Sequence, residues 1–308
     1  MCGQRRWSRL ATKVLLAWVL TTLFAVTWIV RASAASMTDL GTLPGGTQSY
    51  GEAINDLGQV DGSSNSSSAI SRVFRWTPSG GMQDLGSLPG GTNYSISYPG
   101  GINDLGQVTG YAASSTSSPY FHAFRWTASG GMQDLGTLPS RHLSFGFAIN
   151  DLGEVLGDSY VVEADADAFV WSASGGMREV GILPGQDTYR TSAGGINDLG
   201  QVTGSSTTLD GLTQAFLWTA SGGTQDLGTL GGKASHGAGI NDLGQVTGTA
   251  DTASGAEHAF RWTVSSGMQD LATLGGAYSQ ATAINDLGQI TGSATTASGA
   301  NHAFRWSP

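Results

Sequence analysis

The sequence predicts an all-β fold made of six similar units, because one motif recurs at a nearly fixed spacing and the composition favours strands. A nine-residue motif, written INDLGQITG at residues 284–292, occurs six times with small variations. Successive copies lie 48, 47, 47, 44 and 44 residues apart, and such a period is typical of repeat architectures. Only 12% of the 308 residues are charged, while Gly, Ser, Thr, Val, Ile and Trp predominate. This composition favours short strands joined by turns.

Each unit is predicted to contain four short strands. The first strand ends at the Ile-Asn of the motif, and the Asn-Asp-Leu-Gly that follows is typical of a tight turn. The second strand begins at the Gln-Val after this turn. In the third strand, residues 122–126, the side chains of Phe124 and Trp126 are two positions apart and therefore lie on one face. Residues 132–138 form the fourth strand. Four strands per unit and six units indicate a six-bladed β-propeller, four strands per blade.

The two ends of the repeat region predict how this propeller closes. The repeats open on a fourth strand, residues 37–43, and end on a third strand, residues 302–306. We expect the N-terminal strand of the mature chain to pair with the last strand and to close the last blade, which also protects both edges. An open solenoid would fit the same period, but it needs capping units, and both ends here are ordinary repeat sequence.

Residues 1–34 are predicted to be a signal peptide. Four basic residues precede an apolar run at residues 14–30, and Ala32-Ser33-Ala34 resembles a signal-peptidase site. We therefore predict cleavage after Ala34, a single propeller domain over residues 35–308, and a secreted, extracellular or periplasmic location. A retained membrane anchor is the alternative, and it would be the only membrane contact.

The charge of the mature chain argues against nucleic acid as a partner. Residues 1–34 hold five of the 14 basic residues and no acidic one, so cleavage changes the net charge from −9 to −14. An acidic surface of this kind repels phosphate backbones. The mature part has no cysteine, so its stability must come from its core and its backbone hydrogen bonds.

The motifs resemble those of a known family. HAFRW occurs at residues 122–126, 258–262 and 302–306, together with copies of DLGTL and INDLGQVTG. This combination resembles the HAF repeat of predicted bacterial extracellular proteins, and the match covers residues 37–306. The resemblance implies a secreted or surface repeat protein and carries no catalytic residues with it. Three copies have Arg72, Asp167 or Gln214 in place of the His, so the His is not obligatory.

Residues that could act in catalysis or bind a metal have simpler structural explanations. His122, His258 and His302 share one repeat position with Arg, Asp and Gln, which indicates a polar strand end. The six turn Asp residues would form a ring on one rim, yet the motif lacks the alternating acidic ligands of calcium loops. We therefore predict no catalytic residue, no metal and no cofactor. The third-strand Arg residues are expected to form ion pairs with the acids of the fourth strand.

One variable position marks the predicted ligand site. It lies five residues before the Asn of each turn and is occupied by Tyr50, Tyr98, Phe145, Ser192, His236 and Gln280. If the first strand is innermost, these side chains surround one mouth of the channel. Aromatic and arginine side chains in nearby segments extend the set: Tyr94, Phe147, Tyr189, Arg190 and Tyr278.

These six positions suggest a shallow aromatic and polar surface that binds a glycan or a peptide. The alternative is that Tyr and Phe merely plug the channel mouth. The predicted function is a non-catalytic binding module that acts as a monomer. Two other functions stay open, a secreted polysaccharide hydrolase or lyase at the same mouth and a structural envelope protein. The sequence contains no nucleophile elbow and no phosphate-binding loop.

Overall fold

The structure is a computed structural model that describes residues 37–67, 70–89, 97–114, 120–161, 166–184, 188–209 and 211–308. The predicted signal peptide lies outside the described residues. The chain divides into two compact units, Met1–Asp39 and Leu40–Pro308. All the strands lie in the second unit, which is an all-β structure of six antiparallel sheets.

Each sheet is a meander whose strands pair in sequence order. The first three sheets contain these strands: β1 (Ser49–Ile54), β2 (Val60–Asn65), β3 (Ser71–Thr77) and β4 (Gly81–Asp84) in sheet 1; β5 (Ser97–Ile102), β6 (Val108–Ala113), β7 (Phe121–Thr127) and β8 (Gly131–Asp134) in sheet 2; β9 (Leu143–Ile149), β10 (Val155–Tyr160), β11 (Ala166–Ser172) and β12 (Gly176–Glu179) in sheet 3.

The other three sheets contain these strands: β13 (Thr188–Ile196), β14 (Val202–Thr208), β15 (Thr213–Thr219) and β16 (Gly223–Asp226) in sheet 4; β17 (Gly231–Ile240), β18 (Val246–Thr252), β19 (Glu257–Thr263) and β20 (Gly267–Asp270) in sheet 5; β21 (Gly275–Ile284), β22 (Ile290–Thr296) and β23 (Asn301–Trp306) in sheet 6. The predicted four-stranded unit is therefore present in sheets 1 to 5, and sheet 6 has three described strands.

The Asn-Asp-Leu-Gly motif forms the turn between the first and second strands, as predicted. In the first copy, Gly58 N–H donates to the carbonyl oxygen of Asn55 at 2.9 Å, and the side-chain Oδ1 of Asn55 accepts from Gln59 N–H at 2.9 Å. Gly58 has a φ of +69°, in the left-handed region that favours glycine. The same bonds recur in the other copies, so the motif repeats because each turn needs both an Asn acceptor and a Gly.

Every first strand contains a β-bulge, which the sequence analysis did not predict. In β1, Gly51 pairs with Gly62 and Ala53 pairs with Asp61, so Glu52 is an extra residue without a cross-strand partner. The extra residues are Glu52, Gly100, Phe147, Gly194, Ala238 and Thr282. Because the first strands of consecutive sheets contact one another, they are the innermost strands, and the bulges occur along the inside of the propeller.

The core lies between consecutive sheets. The third-strand Phe residues of the first five sheets are at most 1% exposed, and each ring covers a Gly of the neighbouring second strand. Between sheets 1 and 2, Val73 and Leu85 pack in one cluster with Val108 and Phe124. Each sheet therefore buries one face against the next, which is the blade arrangement of a β-propeller.

A buried hydroxyl also joins consecutive sheets. Ser144 at the start of β9 accepts a hydrogen bond from Ala123 N–H of sheet 2 at 2.8 Å and donates to the carbonyl oxygen of Gly136 at 2.5 Å. Equivalent hydroxyls that accept from the third strand of the preceding sheet belong to Ser97, Thr191, Ser235 and Ser279. The hydroxyl satisfies a backbone N–H that the short fourth strand leaves unpaired.

The last sheet differs from the other five. Residues 37–43, which were predicted to supply its fourth strand, belong to no strand of the structure, so closure of the ring stays a prediction. Ala303 of β23 is exposed and Phe304 is half-buried, whereas their counterparts in sheets 1 to 5 are buried. The face of β23 that a following sheet covers elsewhere is open to solvent.

Candidate functional site

The variable position and the Asn-Asp-Leu-Gly turn of each unit lie toward opposite ends of the first strand. In each first strand the variable position, such as Tyr98, lies five residues before the turn Asn, such as Asn103. Five residues of strand span about 16 Å. We call the end with the variable positions the aromatic mouth. The other end, formed by the six Asn-Asp-Leu-Gly turns, is called the turn rim.

An aromatic cluster occupies the aromatic mouth across sheets 2 and 3. Tyr98 stacks on Tyr111 with ring centroids 4.9 Å apart, and Tyr111 meets the edge of Phe145 at 4.6 Å. Phe145 in turn contacts Tyr160 at 5.4 Å, and Phe121 contacts Tyr111 at 5.7 Å. We define the aromatic cluster as these five residues. Offset and edge-to-face contacts of this kind hold the rings in a fixed arrangement.

The cluster has a buried side and a solvent side. Tyr98 is 36% exposed, whereas Tyr111, Phe121, Phe145 and Tyr160 are half-buried. Burial, and then the nearby Tyr98, raises the pKa of Tyr111. Burial and the Asp158 carboxylate raise the pKa of Tyr160 to about 12. Both phenols therefore stay protonated at neutral pH and can act as hydrogen-bond donors.

The buried carboxyl group of Asp158 contacts one member of the aromatic cluster, Tyr160. Asp158 Oδ1 accepts from Ala193 N–H of sheet 4 at 2.9 Å, and Tyr160 Oη donates to Asp158 Oδ2 at 3.4 Å. Burial raises the pKa of Asp158 to about 6, although both hydrogen bonds act in the opposite direction. Asp158 therefore connects sheet 3 to sheet 4 and positions Tyr160.

The polar half of the predicted ligand site is exposed and partly engaged in local hydrogen bonds. Ser192, His236 and Gln280 are all exposed. The Nδ1 atom of His236 lies 3.2 Å from Ser205 Oγ, and Tyr278 Oη donates to Gln280 Oε1 at 2.6 Å. These groups are available at the surface, on the first strands of sheets 4 to 6.

The structure brings together two of the six predicted residues, Tyr98 and Phe145, in the aromatic cluster. Tyr50 is on sheet 1 and is 64% exposed. The sequence analysis missed Tyr111, Phe121 and Tyr160, which come from second and third strands. The register of the β5–β6 hairpin could have identified Tyr111, because Tyr111 pairs directly with Tyr98. Among the nearby aromatic residues, Phe147 is an exposed bulge residue, while Tyr94 and the side chain of Tyr189 lie outside the described part of the chain.

The ion pairs predicted for Arg75, Arg125 and Arg261 with fourth-strand acids are wrong, because each of these Arg residues lies opposite a Gln. A different third-strand residue, Arg72, does pair with Asp84 at 3.3 Å. Arg125 pairs with Gln133 across the hairpin, while Asp134 pairs with Phe124, so Arg125 and Asp134 point to opposite faces. Asp134 instead lies 3.0 Å from His122 Nδ1, and this contact holds the pKa of Asp134 below its usual value. The repeat-position His therefore binds an acid of its own sheet, as it does at Asp270.

The Arg residues stack on the next sheet instead. The guanidinium centre of Arg125 lies 4.8 Å from the ring centroid of Trp171, and Arg75 lies 5.5 Å from that of Trp126. Arg125 Nη1 also donates to the carbonyl oxygen of Gly153 in the following turn at 3.3 Å. These cation–π contacts contribute about 0.5–2 kcal/mol each, because the Arg side chains are half-buried and the Trp rings are buried. They join the outer part of one sheet to the turn of the next.

The turn rim is a chain of hydrogen bonds from sheet 1 to sheet 6. Asn55 Nδ2 donates to the carbonyl oxygen of Asn103 at 2.8 Å, and Asp56 N–H donates to Asp104 Oδ1 at 2.9 Å. The same two bonds join every following pair of turns as far as Asn285 and Asp286. The repeated Asn-Asp therefore holds neighbouring blades together as well as forming each turn.

No group of three or more His, Cys, Asp or Glu side chains in the described residues is placed to hold a metal ion. Within the same residues, no helix is long and apolar enough to cross a membrane.

Comparison with known proteins supports the fold. No protein-family model and no curated protein matches the chain. The β-propeller domain of the Trilobed protease from Pyrococcus furiosus is similar, with 9% identity, a TM-score of 0.51 and coverage of 85% of this chain and 79% of that one. A puromycin hydrolase shares 12% identity with a TM-score of 0.51, over 85% of this chain and 44% of that chain. Virginiamycin B lyase from Staphylococcus aureus shares 13% identity with a TM-score of 0.48, over 82% and 83% of the two chains. The first two likenesses show a β-propeller fold.

Proposed function

We propose that this protein is an exported, monomeric, non-catalytic binding module, and that a glycan or a short peptide binds at the aromatic mouth. The observation that carries the proposal is the stack of Tyr98 on Tyr111, which presents one aromatic face to solvent above a packed cluster. Aromatic faces bind the apolar C–H faces of sugars and the side chains of peptides. The phenol groups, together with Ser192, His236 and Gln280, supply the polar contacts that fix a ligand's orientation.

The rigidity of the cluster supports binding more than simple plugging of the channel. Phe145 and Tyr111 are held by edge-to-face contacts, and Tyr160 is held by Asp158. A ligand that stacks on Tyr98 therefore meets a surface that is already ordered, which lowers the entropy cost of binding.

The carboxyl groups give no support to the alternative of a polysaccharide hydrolase or lyase. Such chemistry needs an acid or base that reaches the substrate. The two carboxyl groups whose pKa burial raises to about 6 and about 7 are Asp158 and Asp61, and they are only 4% and 0% exposed. Asp158 bonds Ala193 of the next sheet and Asp61 bonds Ala53 of its own sheet, so both serve the fold and the proposal stays with binding.

We further propose that residues 37–43 close the last sheet beside β23 and complete the ring. The hydroxyl contact between sheets supports this step. Ser49 Oγ donates to the carbonyl oxygen of Gly41 at 2.7 Å, as Ser144 Oγ donates to that of Gly136. The N–H that Ser49 would accept from is that of Ala303, because Ala303 occupies the position of Ala123. A closed ring would also bury Phe304 to the extent seen for the other five Phe residues.

A glycan array and a tiled peptide array, both probed with the wild-type protein and the Tyr98→Ala variant, test the binding proposal. We expect retention of one ligand class and a loss of affinity of about tenfold in the variant, which corresponds to the contribution of one aromatic stack. Tyr120→Ala is the matched control and should bind as the wild type does, because Tyr120 lies outside the cluster and has nearly the same exposure as Tyr98, 37% against 36%.

Two results would contradict the binding proposal. One is equal binding by wild-type protein and a folded Tyr98→Ala variant. The other is release of reducing ends from a polysaccharide on incubation with the protein, because turnover would identify an enzyme.

A further inference from the structure

The turn rim carries a row of six exposed leucines that the fold does not require, called the leucine ring because the proposed closure would make the row a ring. The residue after Asp in every turn is Leu, and these side chains are between 60% and 74% exposed: Leu57, Leu105, Leu152, Leu199, Leu243 and Leu287. The turn itself is formed by the Asn acceptor and the Gly, so the third position needs no apolar side chain. Single exposed leucines are ordinary, but a contiguous apolar ring indicates a surface that another molecule covers.

The hydrogen bonds between turns hold the six leucines in a fixed series from sheet 1 to sheet 6. Each turn is bonded to the next by Asn side chain to backbone contacts of 2.8–3.0 Å. The leucines are therefore fixed at one spacing per blade. Farther out on the same end, the hairpins between third and fourth strands have small or polar tips, such as Ala128-Ser129-Gly130, except in sheet 5, where Val264 is exposed. An apolar ring inside a polar border is the usual arrangement of a protein-binding surface.

The centre of the ring is acidic. A cavity of about 250 Å³ between sheets 4, 5 and 6 is lined by the Ile, Asn and Asp residues of their turns. Burial, and then the neighbouring carboxylates of Asp151, Asp242 and Asp104, raises the pKa of Asp198. This effect shows that the carboxylates are close enough to repel one another. The inner part of the turn rim therefore attracts positive charge.

The basic residues of this end lie outside the acidic centre. Arg75, Arg125 and Arg261 rest on the Trp rings of the following sheets, next to the turn Gly residues. In order from the centre outwards, the Asp carboxylates therefore come before the Arg guanidinium groups. Neither a second copy of this chain nor an anionic membrane suits that order, because each would place negative charge against the Asp residues.

We propose that the turn rim binds a polypeptide segment of a partner protein in which one or two Lys or Arg residues are flanked by large apolar residues. The basic residue enters the acidic centre, and the apolar residues cover the leucine ring. This site is separate from the aromatic mouth and does not depend on the function proposed there.

Selection from a random dodecapeptide display library on immobilised full-length protein tests the proposal. We expect enriched peptides that combine Lys or Arg with Leu, Ile, Phe or Trp. The double variant Leu199→Ser and Leu243→Ser should bind a synthetic enriched peptide at least tenfold more weakly. The double variant Asp198→Asn and Asp242→Asn keeps the backbone hydrogen-bond acceptors, and it should weaken binding and reduce its dependence on salt.

The matched control changes two leucines at the other end of the propeller. Leu209 and Leu212 are exposed in the loop between β14 and β15, so Leu209→Ser with Leu212→Ser should leave peptide binding unchanged. Four results would overturn the proposal. They are no enrichment, enrichment of acidic or uncharged peptides, leucine-dependent binding to phosphatidylglycerol vesicles in place of peptide, and a leucine-dependent dimer in sedimentation.

Discussion

At the scale of single residues, Asp61 is an exception to the repeat. Four other sheets have Thr at this position, and each hydroxyl donates to the carbonyl oxygen of a third-strand Phe at 2.7–3.0 Å: Thr109, Thr203, Thr247 and Thr291. Asp61 is fully buried. Its Oδ1 accepts from Ala53 N–H at 2.8 Å, while its Oδ2 has no hydrogen-bond partner among the described residues. A protonated carboxyl group would supply the donor that Thr supplies elsewhere.

The pKa of Asp61 predicts a pH-dependent stability. Burial, with a further contribution from the Glu52 carboxylate, raises this pKa from 3.8 to about 7. Between these values the folded state holds a proton that the unfolded state has released. The stability from Asp61 is therefore complete below pH 3.8 and is lost as the pH rises to about 7.

The Asp61→Asn variant should keep its stability as the pH rises, because Asn retains the acceptor for Ala53 N–H and carries no charge. We expect the variant to be more stable than the wild type at pH 8 by about 1–4 kcal/mol, since one pKa unit corresponds to about 1.4 kcal/mol. Urea unfolding at pH 5 and pH 8 measures the difference. Some pH dependence should persist below pH 6 because of Asp158, whose pKa burial also raises. A variant that is less stable than the wild type at pH 8 would contradict this account.

At the scale of elements, a close approach between the first and second strands requires glycine. A Cβ atom on Gly157 would lie 2.1 Å from the Phe145 carbonyl oxygen and 2.6 Å from the Phe169 ring. The same collision would occur at the equivalent Gly of the second strand in the other sheets, such as Gly62 and Gly204. The third-strand Phe can be buried only because the residue opposite has no side chain.

Gly157→Ala should therefore destabilise the protein by about 2–3 kcal/mol, as overpacking in a core typically does. Gly136→Ala is the matched control. Its Cβ would meet no atom within 4 Å, and only its φ of +73° opposes the substitution. We expect the control to cost about 1–2 kcal/mol. Thermal or urea unfolding of both variants measures the difference, and equal costs would show that the close approach does not limit packing.

The sequence predicts the strands and turns correctly where a repeated motif contains the residues that form them. The Asn-Asp-Leu-Gly turns and the four-strand unit of sheets 1 to 5 follow from the repeated Asn, Gly, Phe and Trp. The bulges were missed because the extra residue, for example Glu52, Gly100 or Phe147, has no common chemistry. The ion-pair prediction failed for a related reason. The loop between β7 and β8 sets a register that places Arg125 opposite Gln133, one position away from Asp134.

The candidate site was predicted only in part for the same reason. Tyr98 and Phe145 share a repeat position and could be recognised by alignment of the copies. Tyr111, Phe121 and Tyr160 belong to different strand positions in sheets 2 and 3 and share no motif. Their meeting depends on hairpin register and on the packing of one sheet against the next, which are tertiary properties.

At the scale of the six-sheet unit, the contacts between sheets repeat from sheet 1 to sheet 6. Each interface combines a buried third-strand Phe, a hydroxyl such as that of Ser144 and the bonded turns of the rim. The proposed closure would add a sixth interface of the same kind between sheet 6 and sheet 1. Both the aromatic mouth and the turn rim would then be complete rings.

A disulfide cross-link tests the closed ring most directly. Residues 37–39 repeat the pattern of Met82, Gln83 and Asp84, and Gln83 pairs with Arg75, so closure pairs Thr38 with Arg305. In a chain that carries Cys2→Ser, we expect Thr38→Cys with Arg305→Cys to oxidise to an intramolecular disulfide, detected by peptide mapping without reduction. Thr38→Cys with Arg261→Cys is the control and should stay reduced, because Arg261 already pairs with Gln269. Failure of the first pair to cross-link in the folded protein, or equal cross-linking of both pairs, would contradict a closed propeller.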